Sequence, residues 1–151
     1  MAYSDAPAPV WRLEATIGRQ LAVWSALSLI AGVLLWSVGD FWRGFALQAL
    51  VWGGIDMAIA VFGQRSLRRK RRQDPVATAR HAGEPKVLRR LLWINAGLDV
   101  LYVTAGVLVL VFLGDDAFAR GNGWGVIVQG GFLLGFDAWH GQQAHRLVTA
   151  S

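Results

Sequence analysis

The chain has 151 residues, of which 54% are hydrophobic and 17% charged, and it carries a net charge of +5 with a mean hydropathy of +0.38. A soluble domain of this size carries about a quarter charged residues, so the composition excludes an ordinary soluble globular protein. There is no cysteine, which excludes disulfides and thiolate metal sites.

The first predicted element is a polar and interfacial segment over residues 1–18. It lacks a basic N-terminal region, and the apolar run after it is too long for the core of a secretory signal, so we do not interpret it as one. We expect an irregular start as far as Pro9 and then a short stretch at the membrane interface that carries Trp11.

Four apolar runs follow, and each reaches the roughly 20 residues that a helix needs to cross a hydrocarbon core of about 30 Å. None contains proline, and a chain in hydrocarbon must satisfy its own backbone hydrogen bonds, so the runs are predicted to be helices. The predicted fold is an all-α membrane protein, a four-transmembrane-helix bundle in a single domain over residues 19–146. The predicted spans cover residues 20–39, 44–64, 91–113 and 123–143.

The loop predicted at residues 65–90, between the second and third spans, is strongly basic. It holds ten of the fifteen Lys and Arg, whereas each short connection at the opposite end holds one Arg. Such an excess marks the cytoplasmic side. We therefore expect a multi-pass protein of the inner or plasma membrane with both termini cytoplasmic, including a short tail at residues 147–151. The bilayer accounts for the charge, so no nucleic-acid partner is predicted.

The same basic loop has two interpretations. It can serve only to orient the chain, or it can also contact anionic lipid head groups, which attract such residues by about 1 kcal/mol each. The residues predicted for the lipid contact are Arg68, Arg69, Lys70, Arg71 and Arg72.

The tryptophans indicate where the spans leave the hydrocarbon. Indole rings prefer the head-group level, and most of the eight tryptophans fall near a predicted span end. Trp52 is different because it lies well inside the second span, where its N–H needs a partner. The interfacial set is Trp36, Trp42 and Trp124 on the outer side and Trp11, Trp93 and Trp139 on the inner side.

Each of the last three spans carries one aspartate, Asp56, Asp99 or Asp137. Each lies nine residues from an arginine at the basic end of its span, or about 13 Å along the helix axis. The three acids should therefore form one layer in the inner half of the bilayer.

Polar and aromatic side chains accompany each acid at helical spacing, which places them on the same helix face. We expect these faces to point at the bundle axis and to form a ligand- or proton-binding site. The candidate residues are Gln48, Trp52 and Asp56 in the second span, Asn95, Asp99 and Tyr102 in the third, and Gln129, Asp137 and His140 in the fourth.

The second and fourth spans also resemble each other, since a glutamine precedes the aspartate by eight residues in both. The first and third spans share the letters AGVL. These matches indicate a tandem repeat of one helical hairpin, an arrangement that some transporters use with the site at the repeat interface. Chance similarity between apolar helices is the alternative.

Glycines at helix contacts are expected to support close packing, and one pair forms a GxxxG motif. The glycines predicted to do so are Gly53, Gly54, Gly97, Gly130, Gly131 and Gly135.

The energetics limit what the acids can be. A charged aspartate at mid-membrane costs on the order of 3 kcal/mol, and no predicted span contains Lys or Arg. Three ionised carboxylates in one layer would also repel each other strongly. At least one should therefore hold a proton or face a bound cation, and His140 could take one charge as an imidazolium.

Three functions are compatible with this pattern. The first is a proton- or cation-linked ligand-binding or transport protein, which at this size would require a homodimer or larger membrane complex. The second is a membrane-embedded enzyme that performs acid–base chemistry on a lipidic substrate, with His140 exchanging protons with Asp99 or Asp137. The third is a non-catalytic scaffold or assembly subunit, in which the buried polar groups only hold helices together.

No cofactor is predicted, because the sequence contains no P-loop, Rossmann fingerprint or HExxH motif. No dedicated metal site is predicted either. Three carboxylates and one imidazole would nevertheless suit a divalent cation, which stays open as an alternative.

Overall fold

A computed structural model describes residues 9–73 and 85–149, which form four α-helices, with short turns between the first and second and between the third and fourth. No strand occurs among these residues, so the fold is the all-α bundle that the sequence predicts. The helices are α1 (Pro9–Leu35), α2 (Asp40–Gln73), α3 (Pro85–Leu113) and α4 (Ala117–Thr149).

The helices extend beyond the predicted spans at one end of the bundle. We call this the basic end; here α1 and α3 begin and α2 and α4 end. Much of the predicted interfacial segment is already helical, and the predicted loop at 65–90 is helical as far as Gln73 and again from Pro85. Arginine, lysine and glutamine are good helix formers, so a helix need not stop where the hydrocarbon does.

At the opposite end, which we call the loop end, α1 stops at Leu35, four residues before the predicted boundary. Gly39 has a φ of 151°, a conformation that favours glycine. Its carbonyl accepts a hydrogen bond of 2.7 Å from the backbone N–H of Arg43, which starts α2. Asp40 lies in the first turn of α2, where the helix dipole favours a negative charge.

Three helices are long and apolar enough to cross a membrane, over Val10–Leu35, Asp40–Arg69 and Pro85–Leu113. At 33 residues α4 is also long enough, but glycine, glutamine, aspartate and histidine make it less apolar. It has the largest set of buried residues of the four helices. A helix enclosed by its neighbours can carry polar residues that a lipid-facing helix cannot.

The packing order places α2 and α4 side by side at the centre, running in the same direction. Helix α1 packs on α2, α3 packs on α4, and α1 touches α4 only lightly. At the loop end the backbones of α2 and α4 meet directly. A Cβ atom on Gly44 would overlap the carbonyl oxygen of Phe118, and one on Gly121 would overlap that of Phe41.

The glycine prediction is only partly correct. A Cβ atom on Gly53 or Gly130 would lie 3.1 Å from a side chain of the neighbouring helix, so both are contact positions. In contrast, nothing lies within 4 Å of a Cβ atom on Gly54, Gly97, Gly131 or Gly135. The GxxxG motif therefore holds no helices together within this chain, because it lies on an exposed face of α4.

Trp11 differs from the other tryptophans predicted to lie at the interface. It is buried, with 5% of its surface exposed, whereas the five other predicted interfacial tryptophans are exposed. Because α1 is already helical at Val10, its first turns fold against the bundle. Leu13, half a turn further, packs with Leu92 of α3 and Ala144 of α4.

Candidate functional site

Asp56, Asp99 and Asp137, which we call the acid layer, come from α2, α3 and α4. All three side chains lie in the interior, with 3%, 4% and 7% of their surfaces exposed. The carboxyl groups are close enough to interact electrostatically, Asp137 with both others and Asp56 with Asp99. Three helices thus bring three acids together in a bundle interior.

Two oxygens of the acid layer have no hydrogen-bond partner among the described residues. Oδ2 of Asp56 and Oδ2 of Asp99 are buried, and neither accepts a hydrogen bond from any described residue. The salt bridge present among those residues, between Arg43 and Asp40, lies at the loop end. A buried acceptor without a donor costs about 1–3 kcal/mol, and more when charged. Native structures rarely keep such groups without a reason.

His140 lies on the basic-end side of the acid layer and is 2% exposed. Its Nδ1 is 2.8 Å from the backbone carbonyl oxygen of Phe136. A carbonyl can only accept, so Nδ1 carries a proton and donates it. Nε2 is then the atom available for proton exchange. His140 shares a helix face with Asp137, three residues earlier.

An aromatic pair closes the loop-end side of the acid layer. The rings of Trp52 and Tyr102 meet edge to face, with centroids 4.8 Å apart, and so connect α2 to α3. Trp52 lies one turn before Asp56, and Tyr102 lies three residues after Asp99. Both predicted aromatic residues therefore border the acids, although Tyr102 is 40% exposed.

The two glutamines belong to a separate group nearer the loop end. Gln48 donates to Oδ1 of Asn122 at 2.8 Å. Gln129 donates to the hydroxyl of Ser28 at 3.2 Å and accepts from the indole N–H of Trp24 at 3.0 Å. We call these five residues the amide layer. Its bonds join α2 to α4 and α1 to α4, two helical turns away from the acids.

The sequence does not indicate three residues of the amide layer, namely Asn122, Trp24 and Ser28. Asn122 lies seven residues before Gln129, on the same face of α4. That spacing is the one sequence signal that could have identified it. The bonds of Trp24 and Ser28 cross between α1 and α4, and no spacing within one helix indicates such a pair.

Asn95 does not lie where the sequence indicates. It is exposed, while Leu92, Ala96 and Asp99 form the buried face of α3. Successive helical residues are rotated by about 100°, so a residue four positions before Asp99 lies at the edge of that face. The adjacent Ala96 takes the inward position, and Asn95 is not part of the acid layer.

A cavity of about 360 Å³ opens at the basic end between α1, α2 and α3. Its walls are mainly apolar and include Leu21, Ile59, Ala60 and Leu88. Ala60 lies one helical turn from Asp56. The cavity therefore approaches the acid layer from the basic end, on the side opposite the Trp52–Tyr102 pair.

The described residues offer no set of three ligands for the divalent cation that the sequence leaves open. Among residues 9–73 and 85–149, no three His, Asp or Glu side chains converge closely enough to hold a metal ion.

The basic residues predicted to contact lipid lie at the end of α2. Arg68, Arg69 and Arg72 are exposed on this helical extension. The side chains of Lys70 and Arg71 fall outside the described part of the chain.

The chain belongs to a family of unknown function, DUF6992, which matches residues 20–138. That range contains all three aspartates of the acid layer and ends before His140. Neither the curated proteins nor the solved structures contain a match to the chain. Function is therefore argued from the chemistry of the site.

Proposed function

We propose that this integral membrane protein takes up and releases protons at the acid layer and couples that exchange to the binding or transport of a ligand. The observation that carries the proposal is the burial of three carboxyl groups, two of which keep an oxygen without a hydrogen-bond donor. Asp56, Asp99 and Asp137 are the proton-binding residues, and Trp52, Tyr102 and His140 border them.

Electrostatic repulsion between the three carboxyl groups supports proton binding. Ionising all three acids would place like charges together in a low-dielectric interior, at a high Coulomb cost. A carboxyl group that keeps its proton becomes a donor and can satisfy a neighbouring carboxylate. Sharing protons therefore removes both the repulsion and the unpartnered oxygens. Groups coupled in this way titrate together rather than one by one.

A proton also fits the spacing of the acids better than a metal ion. No three acidic or histidine side chains converge on one point in the described residues, as a divalent ion requires. A proton needs only one acceptor at a time and can pass between neighbours. We therefore favour proton linkage over metal linkage for this site.

We infer that protons approach the site through the cavity at the basic end. It reaches Ala60, one turn from Asp56, while Trp52 and Tyr102 close the other side. If the basic end is cytoplasmic, as its charge predicts, protons exchange with the cytoplasm. Release to the other side would then require a rearrangement or a second copy of the chain, so we expect a homodimer or larger complex.

The test is proton flux through the purified protein in liposomes. With a pH gradient imposed, the parent should acidify or alkalise the lumen, as followed by an internal pH-sensitive dye. The matched variant is Asp56→Asn/Asp99→Asn/Asp137→Asn, which keeps shape and hydrogen bonding but cannot ionise. It should show the leak rate of empty liposomes. Equal flux through parent and variant would contradict the proposal.

A second function rests on the geometry of His140. The bond from Nδ1 to Phe136 fixes the ring and leaves Nε2 for chemistry, which is how a general base is held in place. An acid–base enzyme acting on a lipidic substrate would use this group with Asp137. Conversion of added lipid without proton flux, lost in His140→Gln, would favour the enzyme. Co-purification with a larger complex, with neither activity, would favour a scaffold.

A further inference from the structure

A second polar site lies at the basic end of the seam between α3 and α4, away from the acid layer. Trp93, Gln142, His145 and Arg146 line a cavity of about 400 Å³ there. All four side chains are exposed. The cavity therefore opens to the outside of the bundle and not to the bundle interior.

One hydrogen bond determines which nitrogen of His145 can donate at this cavity. Nη1 of Arg89 lies 3.1 Å from Nδ1 of His145. A guanidinium is always protonated and can only donate, so Nδ1 accepts and the neutral imidazole carries its proton on Nε2. The polar groups at the cavity are then mainly donors, from Trp93, His145, Arg146 and the amide of Gln142.

The described residues that line this cavity carry positive but no negative charge. Arg146 is the charged one, and none of them is an acid. The guanidinium of Arg89 lies next to the cavity through its bond to His145. Charge-assisted bonds from guanidinium groups are the usual means of holding a phosphate.

The wall formed by Trp93 depends on Gly141. A Cβ atom on Gly141 would lie 3.3 Å from Nε1 of Trp93 and 3.4 Å from Cε2. A side chain at position 141 would require the indole to shift by a few tenths of an ångström, and glycine lets it rest closely against α4. Indole rings prefer the head-group level of a bilayer, which places the cavity at that level.

An open helix face continues from Trp93 towards the membrane centre. Gly97 lies one turn above Trp93 on α3, and residues four apart share a helix face. Nothing lies within 4 Å of a Cβ atom on Gly97. This face of α3 therefore leaves space for an acyl chain beside the exposed Trp93.

We propose that this cavity binds one anionic phospholipid, with its phosphate at Arg146, His145 and Trp93 and an acyl chain on the open face of α3 beside Gly97. The site differs from the attraction predicted for the arginines at the end of α2, which acts through charge alone. It is independent of the proton exchange proposed for the acid layer.

The test is lipid binding to the full chain purified in detergent. Short-chain phosphatidylglycerol should raise the thermal unfolding midpoint in a saturable way, whereas short-chain phosphatidylcholine and inorganic phosphate should not. Arg146→Gln should weaken phosphatidylglycerol binding by about tenfold, through the loss of a charge-assisted contact. Trp93→Leu keeps the charge and should weaken binding by about threefold, through the loss of the indole donor.

The matched control is Arg65→Gln, which removes the same charge from an exposed position at the same end and lies outside the arginines predicted to contact lipid. It should leave phosphatidylglycerol affinity unchanged. An equal loss in Arg65→Gln and Arg146→Gln would mean diffuse attraction and would overturn the proposal. Equal binding of phosphatidylcholine would also overturn it. Phosphate that binds as tightly as the lipid would show an ion site instead.

Discussion

The acid layer and the amide layer lie two helical turns apart in the same bundle, yet they are built in opposite ways. In the amide layer, Gln48 and Gln129 each donate to a group on another helix at 2.8 and 3.2 Å. In the acid layer, Asp56 and Asp99 each keep a buried oxygen with no donor among the described residues. Both layers are polar groups inside an apolar protein. Only the amide layer supplies hydrogen-bond donors for its own acceptors.

The chemistry of the side chains explains the difference. An amide carries a donor and an acceptor, so two amides, or an amide and a hydroxyl, can pair. An ionised carboxylate only accepts, so neighbouring carboxylates cannot pair without a shared proton. The amide layer is therefore suited to holding helices together. The acid layer is suited to binding protons. Four predictions test this difference between the layers.

The largest effect is expected where α2 and α4 meet beside the amide layer. Gly121→Leu would place a side chain against the carbonyl oxygen of Phe41 and separate the two helices. Overpacking of this kind costs about 1–3 kcal/mol or more, so the free energy of unfolding should fall by about 3 kcal/mol. Gly131→Leu, at an open position, is the control and should change little. Equal losses in both variants would show that the close contact does not matter.

The next effect concerns the amide layer itself. Gln129→Leu leaves the indole N–H of Trp24 without its acceptor and removes the donor to Ser28. The free energy of unfolding, measured by denaturation in detergent, should fall by about 1–2 kcal/mol. Proton flux per folded molecule should stay at the parent level. A stable variant with altered flux would place Gln129 in the site rather than in the structural layer.

A smaller effect of opposite sign is expected for the acid layer. Replacing Asp56, Asp99 and Asp137 together by Asn removes ionisation and supplies donors. The free energy of unfolding should stay the same or rise by about 1 kcal/mol, although proton flux is lost. A loss of stability as large as that of Gln129→Leu would mean that the acids hold helices together, and the contrast between the layers would disappear.

The smallest effect is expected at Asn95. It is exposed and lies outside the buried face of α3, so Asn95→Ala should change the free energy of unfolding by no more than about 0.5 kcal/mol. Flux should also be unchanged. A strong loss of flux would show that Asn95 does contact the acids in the working protein.

The sequence predicts the helices and the burial of the acids because both follow from properties of single segments. An apolar run of sufficient length must be helical in hydrocarbon, and an aspartate within it must avoid lipid. The sequence predicts helix ends that lie too far inward at the basic end, since arginine-rich segments leave the hydrocarbon without leaving the helix.

Contacts between helices are harder to predict, because they depend on which faces meet. Spacing of four residues cannot distinguish Asn95 from the neighbouring Ala96, and the structure puts Ala96 inside. The partner of Gln48 is 74 residues away, and no local pattern indicates it. Similarly, the GxxxG motif lies on an open face, while Gly44 and Gly121 make the closest approach.

The most direct test of the account is the protonation of the acid layer, measured by infrared spectroscopy of the purified protein at neutral pH. A protonated carboxyl group has a C=O stretching band that a carboxylate lacks. We expect such a band in the parent protein and its absence after replacement of Asp56, Asp99 and Asp137 by Asn. On titration the band should change over a wider pH range than one independent group shows. A parent spectrum without the band, or an unchanged band in the variant, would contradict proton binding by these residues.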